Sequence, residues 1–404
     1  MRIHTELLAA PKIPLRYLVR FNPRPAATNS DESCYLPMEA ISQFGAVDSS
    51  RMRPTSELAQ GYSFLADGDV AYAKVTPCFE NGKGLRATAL PGGHAFATTE
   101  VTVMRPSSVL DSRYLAWILQ SADFRAPGEA HMSGAGGLKR VPESYAARFR
   151  VPRPSMDVQR AIVDYLGRET AQIDAFIAKN EELITLLTER RAAAVNAPFA
   201  VQRPNTRLQH ACEAVVDCPH TTPEIDDDGD FEAVRTASVR DGVYVPGQGL
   251  TVSEATWRSR NGSLGPRPGD VLFTREAPAG EACMVPSGEI CLGQRMVLLR
   301  IDSSKADGQF LLWQLYSREV QSYFELAANG STVTNIRLPL LRLAPIWLPS
   351  LEEQRSISGQ VAEQVGTIDD AIGIARRGIA LARERRAALI SAAVTGKIDV
   401  GVVA

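Results

Sequence analysis

The chain lacks the sequence signatures of most enzymes and of proteins that enter or cross a membrane. No apolar run is long enough to span a bilayer, and the first residues contain no apolar signal-peptide segment. Motifs for a phosphate-binding loop, a metalloprotease helix, a serine hydrolase and an Asp-Pro-Pro-Tyr-like methyltransferase are absent too. These absences predict a cytoplasmic chain that performs no catalysis and binds no cofactor.

Potential metal ligands are scarce. The chain has 6 Cys and 5 His and no CxxC pair, which favours reduced, buried thiols over a disulfide framework. Cys212, Cys218 and His220 lie close in sequence, but their spacing is not a zinc pattern and no second ligand pair follows. The acidic run 226–230 lacks the later Glu of a calcium-binding loop. We therefore expect no metal site.

The charge balance gives no clear sign of a nucleic-acid partner. Lys and Arg number 44 against 46 Asp and Glu, a formal net charge of -2, whereas free-standing nucleic-acid-binding proteins are usually basic. Residues 1–150 carry 17 basic against 14 acidic side chains, and residues 201–347 carry 14 against 18. If the chain binds DNA, a partner or a local patch must supply much of the phosphate neutralisation.

What the chain does contain is a long internal repeat at an offset of 195 residues. The segment 154–162, PSMDVQRAI, returns at 349–357 as PSLEEQRSI, and ERRAA at 189–193 returns at 384–388. Ile-Asp at 173–174 returns at 368–369 in the same register. Because register holds without a gap over about 40 residues, we interpret the repeat as a duplication that gives two similar modules.

The repeated segments have the pattern of long helices. Ser155 and Ser350 are suited to cap their N-termini, and the two helices should end near Asn196 and Gly396. A heptad pattern predicts a narrow helix-pairing seam, in which Asn180 could fix the register. The seam positions are Val163, Leu166, Thr170, Ile173, Ile177, Asn180, Ile184 and Leu187, then Ser358, Val361, Val365, Ile368, Ile372, Ala375, Ile379 and Ala382.

The segments between the helices share a fainter frame. Gly68-Asp69-Val70 is paralleled by residues 269–271, each a turn leading into a strand, and Val101–Arg105 is paralleled by residues 296–300. The residues between these anchors differ. This divides the chain into a first domain (1–150), a central helix (151–200), a second domain (201–348) and a C-terminal helix (349–404).

On these residues the chain resembles the specificity subunits of type I restriction–modification systems. The resemblance rests on the Pro-Ser-Leu-Glu-Glu-Gln-Arg helix start, the central Ile-Asp, the Glu-Arg-Arg-Ala-Ala helix end and the closing Thr-Gly-Lys-Ile-Asp. It implies an α+β fold, with two α/β target recognition domains separated by two long antiparallel helices that form a coiled coil with pseudo-two-fold symmetry. One departure is Asp157-Val158 where the second copy has Glu352-Glu353.

The resemblance also implies a function and partners. Each domain would read one half of a bipartite site in double-stranded DNA. The helices would set the spacer and dock two modification subunits, which carry S-adenosylmethionine and methylate adenine, and restriction subunits would join to cut DNA. A helical adaptor that binds only proteins is the alternative, and the acidic second domain is the sequence feature that favours it.

Candidate DNA-binding residues lie in polar stretches of both domains, because Arg, Lys, Asn, Gln and Glu offer the donors and acceptors that bases and phosphates match. A solvated loop is the alternative for each stretch, and an internal ion pair with Glu276 or Glu281 is the alternative for Arg275. The first domain supplies Lys74, Thr76, Asn81, Lys83, Thr98, Thr99, Lys139 and Arg140. The second supplies His220, Thr221, Thr222, Arg275, Glu276, Gln294, Arg295, Thr334, Asn335 and Arg337.

Overall fold

A computed structural model describes residues 2–24, 31–135, 137–328 and 335–400 of the chain. The chain forms two compact units, residues 1–180 with 377–404 and residues 181–376. Each unit contains one globular module and parts of both long helices. Within the described ranges, no helix combines the length and apolar character that crossing a bilayer requires.

The first module is built on two four-stranded sheets and a two-stranded one. Its strands are β1 (Lys12–Pro14), β2 (Val19–Phe21), β3 (Glu32–Leu36), β4 (Met52–Pro54), β5 (Ser63–Ala66), β6 (Val70–Ala73), β7 (Gly84–Arg86), β8 (His94–Ala97), β9 (Val101–Pro106) and β10 (Arg150–Pro152). The sheet orders are β2-β9-β6-β7, β4-β3-β8-β5 and β1-β10, and only β3 and β8 pair in parallel among these strands.

Short helices cover these sheets. They are α1 (Arg2–Ala9), α2 (Thr55–Leu58), α3 (Ser112–Gln120), α4 (Ala122–Ala130) and α5 (Glu143–Arg148). The long helix α6 (Met156–Asn196) follows directly after β10. The core of the first module joins Tyr72 and Phe124 to Leu166 of α6 and to Ile390 near the end of the chain. The module is therefore built around the helices rather than attached to them by a linker.

The second module repeats the arrangement with small changes. Its strands are β11 (Thr206–Arg207), β12 (Cys212–Asp217), β13 (Phe231–Val234), β14 (Val239–Arg240), β15 (Val243–Tyr244), β16 (Leu250–Val252), β17 (Val271–Thr274), β18 (Ala282–Met284), β19 (Ile290–Leu292), β20 (Met296–Ile301) and β21 (Pro345–Ile346). Its helices are α7 (Glu254–Asn261), α8 (Gly308–Leu315), α9 (Arg318–Ala328) and α10 (Leu338–Arg342), and α11 (Leu351–Thr395) ends the repeat.

The order β12-β20-β17-β18 matches the first sheet of the first module, and β13 pairs in parallel with β19 as β3 does with β8. The two modules therefore share this sheet and the parallel strand pair, as the faint sequence parallels predict. They differ in the sheet that holds the parallel pair, which has four strands in the first module and three, β16-β13-β19, in the second, where β14 and β15 form a separate pair.

A buried glutamine explains the repeated helix start. Gln159 and Gln354 are both fully buried in the first turns of α6 and α11. Gln159 accepts from the backbone N–H of Asp111 at 2.8 Å and donates to the carbonyls of Val109 and Pro154, each at 3.0 Å. Gln354 makes the three equivalent bonds, to Asp307, Lys305 and Pro349, at 2.9, 3.0 and 2.8 Å. Each glutamine fixes a long helix to the loop before a module helix.

An ion pair explains the repeated Gly-Asp-Val turns. Asp69 accepts from Nε and Nη2 of Arg105 on β9 at 2.8 and 2.7 Å. Its equivalent Asp270 accepts from Nε of Arg300 on β20 at 3.0 Å. Asp69 also accepts from a backbone N–H inside its own turn, at Ala66, and Asp270 does the same at Arg267. The carboxylate thus holds the turn closed and joins it to the neighbouring strand.

The two long helices pair along the predicted seam. Every one of the sixteen seam positions is buried or half-buried. Within the first unit Asp174 of α6 pairs with Arg386 of α11 at 2.9 Å, and Gly378 lies against the Phe176 ring, so the residue numbers run in opposite directions. The helices are therefore antiparallel, as expected.

The expected register-fixing role of Asn180 is not what its contacts show. Its amide donates to the carbonyl of Phe176 in its own helix at 2.9 Å. Ion pairs link the helices instead. In the second unit Arg191 donates to Asp369 at 2.8 Å, and these residues are the 195-residue counterparts of Arg386 and Asp174. The sequence pattern gave Asn180 a seam position but could not show that its nearest acceptor is one turn back.

Candidate nucleic-acid interface

In the second module, candidate residues from distant segments meet at one edge. Strands β13 and β19 are parallel, so their carboxyl ends lie side by side, and the residues after β12 and β17 join them there. The resulting cavity of about 230 Å³ is lined by His220, Arg275, Glu276, Gln294 and Arg295. A neighbouring cavity of about 340 Å³ shares Gln294 and Arg295 with it. Five of the sequence candidates therefore form one polar concave surface.

Arg275 has a different internal partner from either that the sequence suggested. Its Nη1 donates to both carboxylate oxygens of Asp217, at 2.8 and 3.0 Å, and its Nε donates to the Ile336 carbonyl at 3.2 Å. The side chain is 14% exposed. The ion pair is therefore with Asp217, and not with Glu276 or Glu281, because the ends of β12 and β17 come together only in the folded chain, on either side of β20.

Glu276 organises the rest of this edge. One carboxylate oxygen lies 3.3 Å from Nε of Arg295, and the other accepts a hydrogen bond from the Asn335 amide. Gln294 donates to the Thr222 hydroxyl at 3.1 Å. Arg295 remains more than half exposed. The edge thus presents a guanidinium and a carboxamide that are partly oriented by the protein.

Hydrogen bonds and an ion-pair contact hold the loop at 218–222 at this edge. His220 is largely exposed, with Nε2 3.3 Å from a carboxylate oxygen of Asp217. Arg260 donates to the Thr221 hydroxyl at 3.4 Å and to the Pro219 carbonyl at 3.3 Å. Among the described residues, no group of three His, Cys, Asp or Glu side chains is placed to hold a metal ion.

The first module has the same pattern of backbone hydrogen bonds at the corresponding edge. The N–H of Lys74 donates to the Glu100 carbonyl, and the N–H of Val141 donates to the Lys74 carbonyl, at 2.9 and 2.8 Å. In the second module Arg275 makes the same two bonds with Arg295 and Ile336, at 2.9 and 3.0 Å. Glu100 and Arg295 therefore occupy equivalent places, although their charges are opposite.

Three predicted segments of the first module meet at this edge. Arg140 donates from Nε and Nη2 to the two carboxylate oxygens of Glu100, at 2.9 and 2.8 Å. This two-point hydrogen bond lowers the pKa of Glu100 below its usual range. The Thr76 hydroxyl donates to the Gly137 carbonyl at 3.1 Å and accepts from the Lys139 N–H at 2.9 Å, which fixes the basic loop. Thr98 accepts from the Glu100 N–H at 3.3 Å.

The remaining candidates are placed in several ways. Lys83 donates from Nζ to the Met38 carbonyl at 2.9 Å, so the chain itself engages its ammonium group. Lys83 and the exposed Asn81 line a cleft of about 1180 Å³ between the first module and the helices of its unit. Thr99 and Arg337 are exposed. Thr334 lies outside the described residues.

One exposed cation was missed by the sequence reasoning. Arg235 follows β13 and lines the cavity of about 340 Å³, with Nε and Nη2 donating to the Gln248 carbonyl at 3.1 and 3.0 Å. The signal was present, because Arg235 directly follows the apolar-rich run Phe231–Val234, and side chains beyond parallel strand ends often form sites. Its proximity to Gln294 depends on the parallel pairing, which the sequence did not reveal.

Comparison with known proteins shows which sequences this chain is similar to. No protein-family model matches the chain. Over 195 residues it is 34% identical to the Type I restriction enzyme EcoEI specificity subunit of Escherichia coli, and over 152 residues it is 33% identical to the EcoAI specificity subunit of that organism. These matches cover 45% and 37% of this chain, and 33% and 26% of the relatives. The chain thus spans about a third or less of the length of the curated relatives it matches.

Solved structures extend the likeness to nearly the whole chain. A chain from work on complex assembly and conformational transition of the type I R-M system superposes with a TM-score of 0.69 at 18% identity, over 96% of this chain and 98% of that one. The HsdS subunit from Thermoanaerobacter tengcongensis superposes with a TM-score of 0.50 at 19% identity, over 98% and 96%. The chain therefore has the fold of type I restriction–modification specificity subunits. The resemblance drawn from the repeated helix sequence is confirmed.

Proposed function

We propose that this chain is the DNA sequence-recognition subunit of a cytoplasmic type I restriction–modification complex. Each module binds one half of a bipartite site in double-stranded DNA through the edge described above. The observation that carries the proposal is the convergence of separate polar segments on equivalent edges of two modules with one frame. A duplicated binding fold with different side chains at equivalent places is suited to reading two different half-sites.

Three pairs of equivalent positions support different readout by the two modules. Lys74, Glu100 and Arg140 in the first module correspond to Arg275, Arg295 and Asn335 in the second. Arg matches guanine, Asn matches adenine and Glu matches the cytosine amino group. Because these sets differ, we expect an asymmetric site with an unread spacer between its halves.

The helices offer surfaces for partner subunits. In the first unit Phe176 and Leu381 are exposed beside a groove of about 450 Å³ on the helix pair. In the second unit Leu183, Leu186 and Ile374 are exposed on the same two helices. Exposed apolar side chains on otherwise polar helices favour docked proteins. We assign these faces to two modification subunits, with restriction subunits completing the complex.

The catalytic steps belong to these partners in our proposal. The chain supplies sequence recognition, while the modification subunits bind S-adenosylmethionine and transfer its methyl group to adenine. The purified chain alone should therefore neither methylate nor cleave DNA. Methyl transfer by a rigorously purified single chain would overturn this division of roles.

Methylome sequencing of a host that expresses the chain with its modification partners tests the proposal. We expect one asymmetric, bipartite motif whose methylation requires this chain, and a host lacking the chain is the control. A gel-shift assay with the assembled complex should show salt-sensitive binding to DNA containing the motif. A complex that assembles but methylates no bipartite motif would instead favour the protein-binding adaptor.

A further inference from the structure

Arg140 in the first module combines a fixed position with unused donors. Its backbone N–H donates to the Ser133 carbonyl at 2.8 Å, and the Ser133 N–H donates back to the Arg140 carbonyl at 3.1 Å. Its side chain is clamped by Glu100 at two points. Even so, 46% of the side chain is exposed. Both the backbone and the guanidinium are therefore positioned before any ligand arrives.

The clamp leaves one particular edge of the guanidinium available. A guanidinium has five N–H donors, and Glu100 takes the one on Nε and one of the two on Nη2. The second Nη2 donor and the neighbouring Nη1 donor are then parallel and point away from Glu100. Two parallel donors are what the O6 and N7 acceptors of guanine require in the major groove.

Charge distinguishes a base contact from a phosphate contact here. Arg140 and Glu100 together carry no net charge while Glu100 stays ionised, and the hydrogen bonds from Arg140 favour that ionised state. A neutral pair gains little from a phosphate and releases few counterions. A guanine edge carries no net charge and rewards fixed donor geometry, so it fits the pair better.

We infer that Arg140 reads a guanine in the half-site of the first module, and that Glu100 is the positioning residue that presents its Nη1–Nη2 edge. The inference rests on the proposed function and adds to it a named residue, a base and an orienting partner.

The test is methylome sequencing of the full complex carrying Arg140→Lys. Lysine keeps the charge but cannot make two parallel hydrogen bonds. We expect discrimination to fall by roughly 5- to 150-fold at one guanine of the first half-site, with every other position unchanged. Arg113→Lys is the matched control, because Arg113 is also clamped at two points, by Asp111, and is similarly exposed at 42%. It should leave the motif unchanged.

A second pair of variants tests the positioning role. Glu100→Gln should relax the same guanine position and steepen the dependence of DNA binding on salt, because Arg140 then carries an uncompensated charge. Glu100→Asp should restore part of the discrimination. The double variant Arg140→Gln with Glu100→Gln should keep the wild-type salt dependence. If Arg140 instead contacts a phosphate, the log–log salt slope of the double variant should fall by about 0.9.

The outcomes separate this inference from the proposed function. A wild-type complex without a bipartite motif overturns both. A wild-type bipartite motif that stays unchanged in folded Arg140→Lys overturns the guanine assignment alone. Uniform weakening across all sequences with a reduced salt slope overturns it in favour of a phosphate contact. Thermal melting of each variant shows whether an altered motif arises from lost folding.

Discussion

At the scale of single residues, the two buried glutamines are the repeated side chains whose structural role is clearest. Replacing Gln354 by Ala leaves the Asp307 N–H and two carbonyls without their partner. Buried polar groups without a hydrogen bond destabilise a fold by about 1–3 kcal/mol each. We expect Gln354→Ala to lower the free energy of unfolding by about 2–4 kcal/mol, measured by urea denaturation. Gln360→Ala, an exposed position on the same helix, is the control and should cost less than about 0.5 kcal/mol.

The cysteines allow a second prediction at this scale. All six are free thiols, and five are buried, while Cys78 is half-buried. Burial raises the pKa of Cys212 and Cys283 to about 12, so at pH 8 these thiols stay almost entirely protonated and unreactive. We expect a thiol reagent at pH 8 to label one cysteine quickly and all six after denaturation. Cys78→Ser should remove the fast phase; a remaining fast phase would contradict the assignment.

Sequence reasoning identified most of the residues at the polar edge of the second module, but not their hydrogen-bond partners. The stretches around Arg275 and Arg295 were identified because Arg, Glu and Gln can form hydrogen bonds with bases, and the stretch around His220 because it resembles a loop of one subtype of target recognition domain. The Arg275–Asp217 pair spans 58 positions and exists only because β12 lies near β17 across the sheet. Residue type thus indicated which side chains could contact DNA. It did not indicate which of their hydrogen-bond donors are already bonded within the protein, because those bonds depend on how the strands pair.

At the scale of elements, the helices were the most predictable part of the molecule. Caps, heptads and the repeat placed their ends within a residue or two, because these signals are local. Apart from the strands expected after the two Gly-Asp-Val turns, the strands of the modules were not placed individually, since short apolar runs can be either strands or buried helices. The domain boundaries remain a proposal, and the boundary at 150 falls inside β10, which pairs with β1.

Helix length gives a prediction at this scale. We expect the length of the helix pair to set the length of the DNA spacer between the half-sites. Adding one heptad to each helix should therefore lengthen the spacer. The insertions belong after Glu182 and after Arg377, midway between the two ion-pair positions on each helix. Seven residues add about 10 Å, which corresponds to about three base pairs at about 3.4 Å each. The methylated motif should have a wider spacer and unchanged half-sites. An unchanged spacer at full activity would show that the helices are not the ruler.

A heptad added to α6 alone is the control for that experiment. It leaves α11 without matching residues and so breaks the paired seam. We expect this variant to lose stability and methylation together, measured by thermal melting and by methylome sequencing.

At the scale of the whole molecule, the two modules should be exchangeable. The structure gives better limits for the exchanged segment than the sequence did, because β1 and β10 pair and should be transferred together. Exchanging residues 12–152 for the same segment of another such chain keeps α1, which contacts the C-terminal residues through His4 and Ile398. We expect one half of the methylated motif to change and the other half and the spacer to stay. The reciprocal exchange of residues 206–346 should change the other half; a change in both halves from one exchange would contradict two independent readers.

The discontinuous first unit has a consequence for synthesis on the ribosome. The core of the second module extends no further along the chain than Val365, whereas the core of the first includes Ile390, Val394 and Val400. A nascent chain can therefore complete the later module first. The earlier module keeps apolar surface uncovered until the C-terminal part of α11 emerges, which is the stage at which chaperones protect folding chains from aggregation. A chain truncated after residue 376 would contain a complete second unit and an incomplete first one.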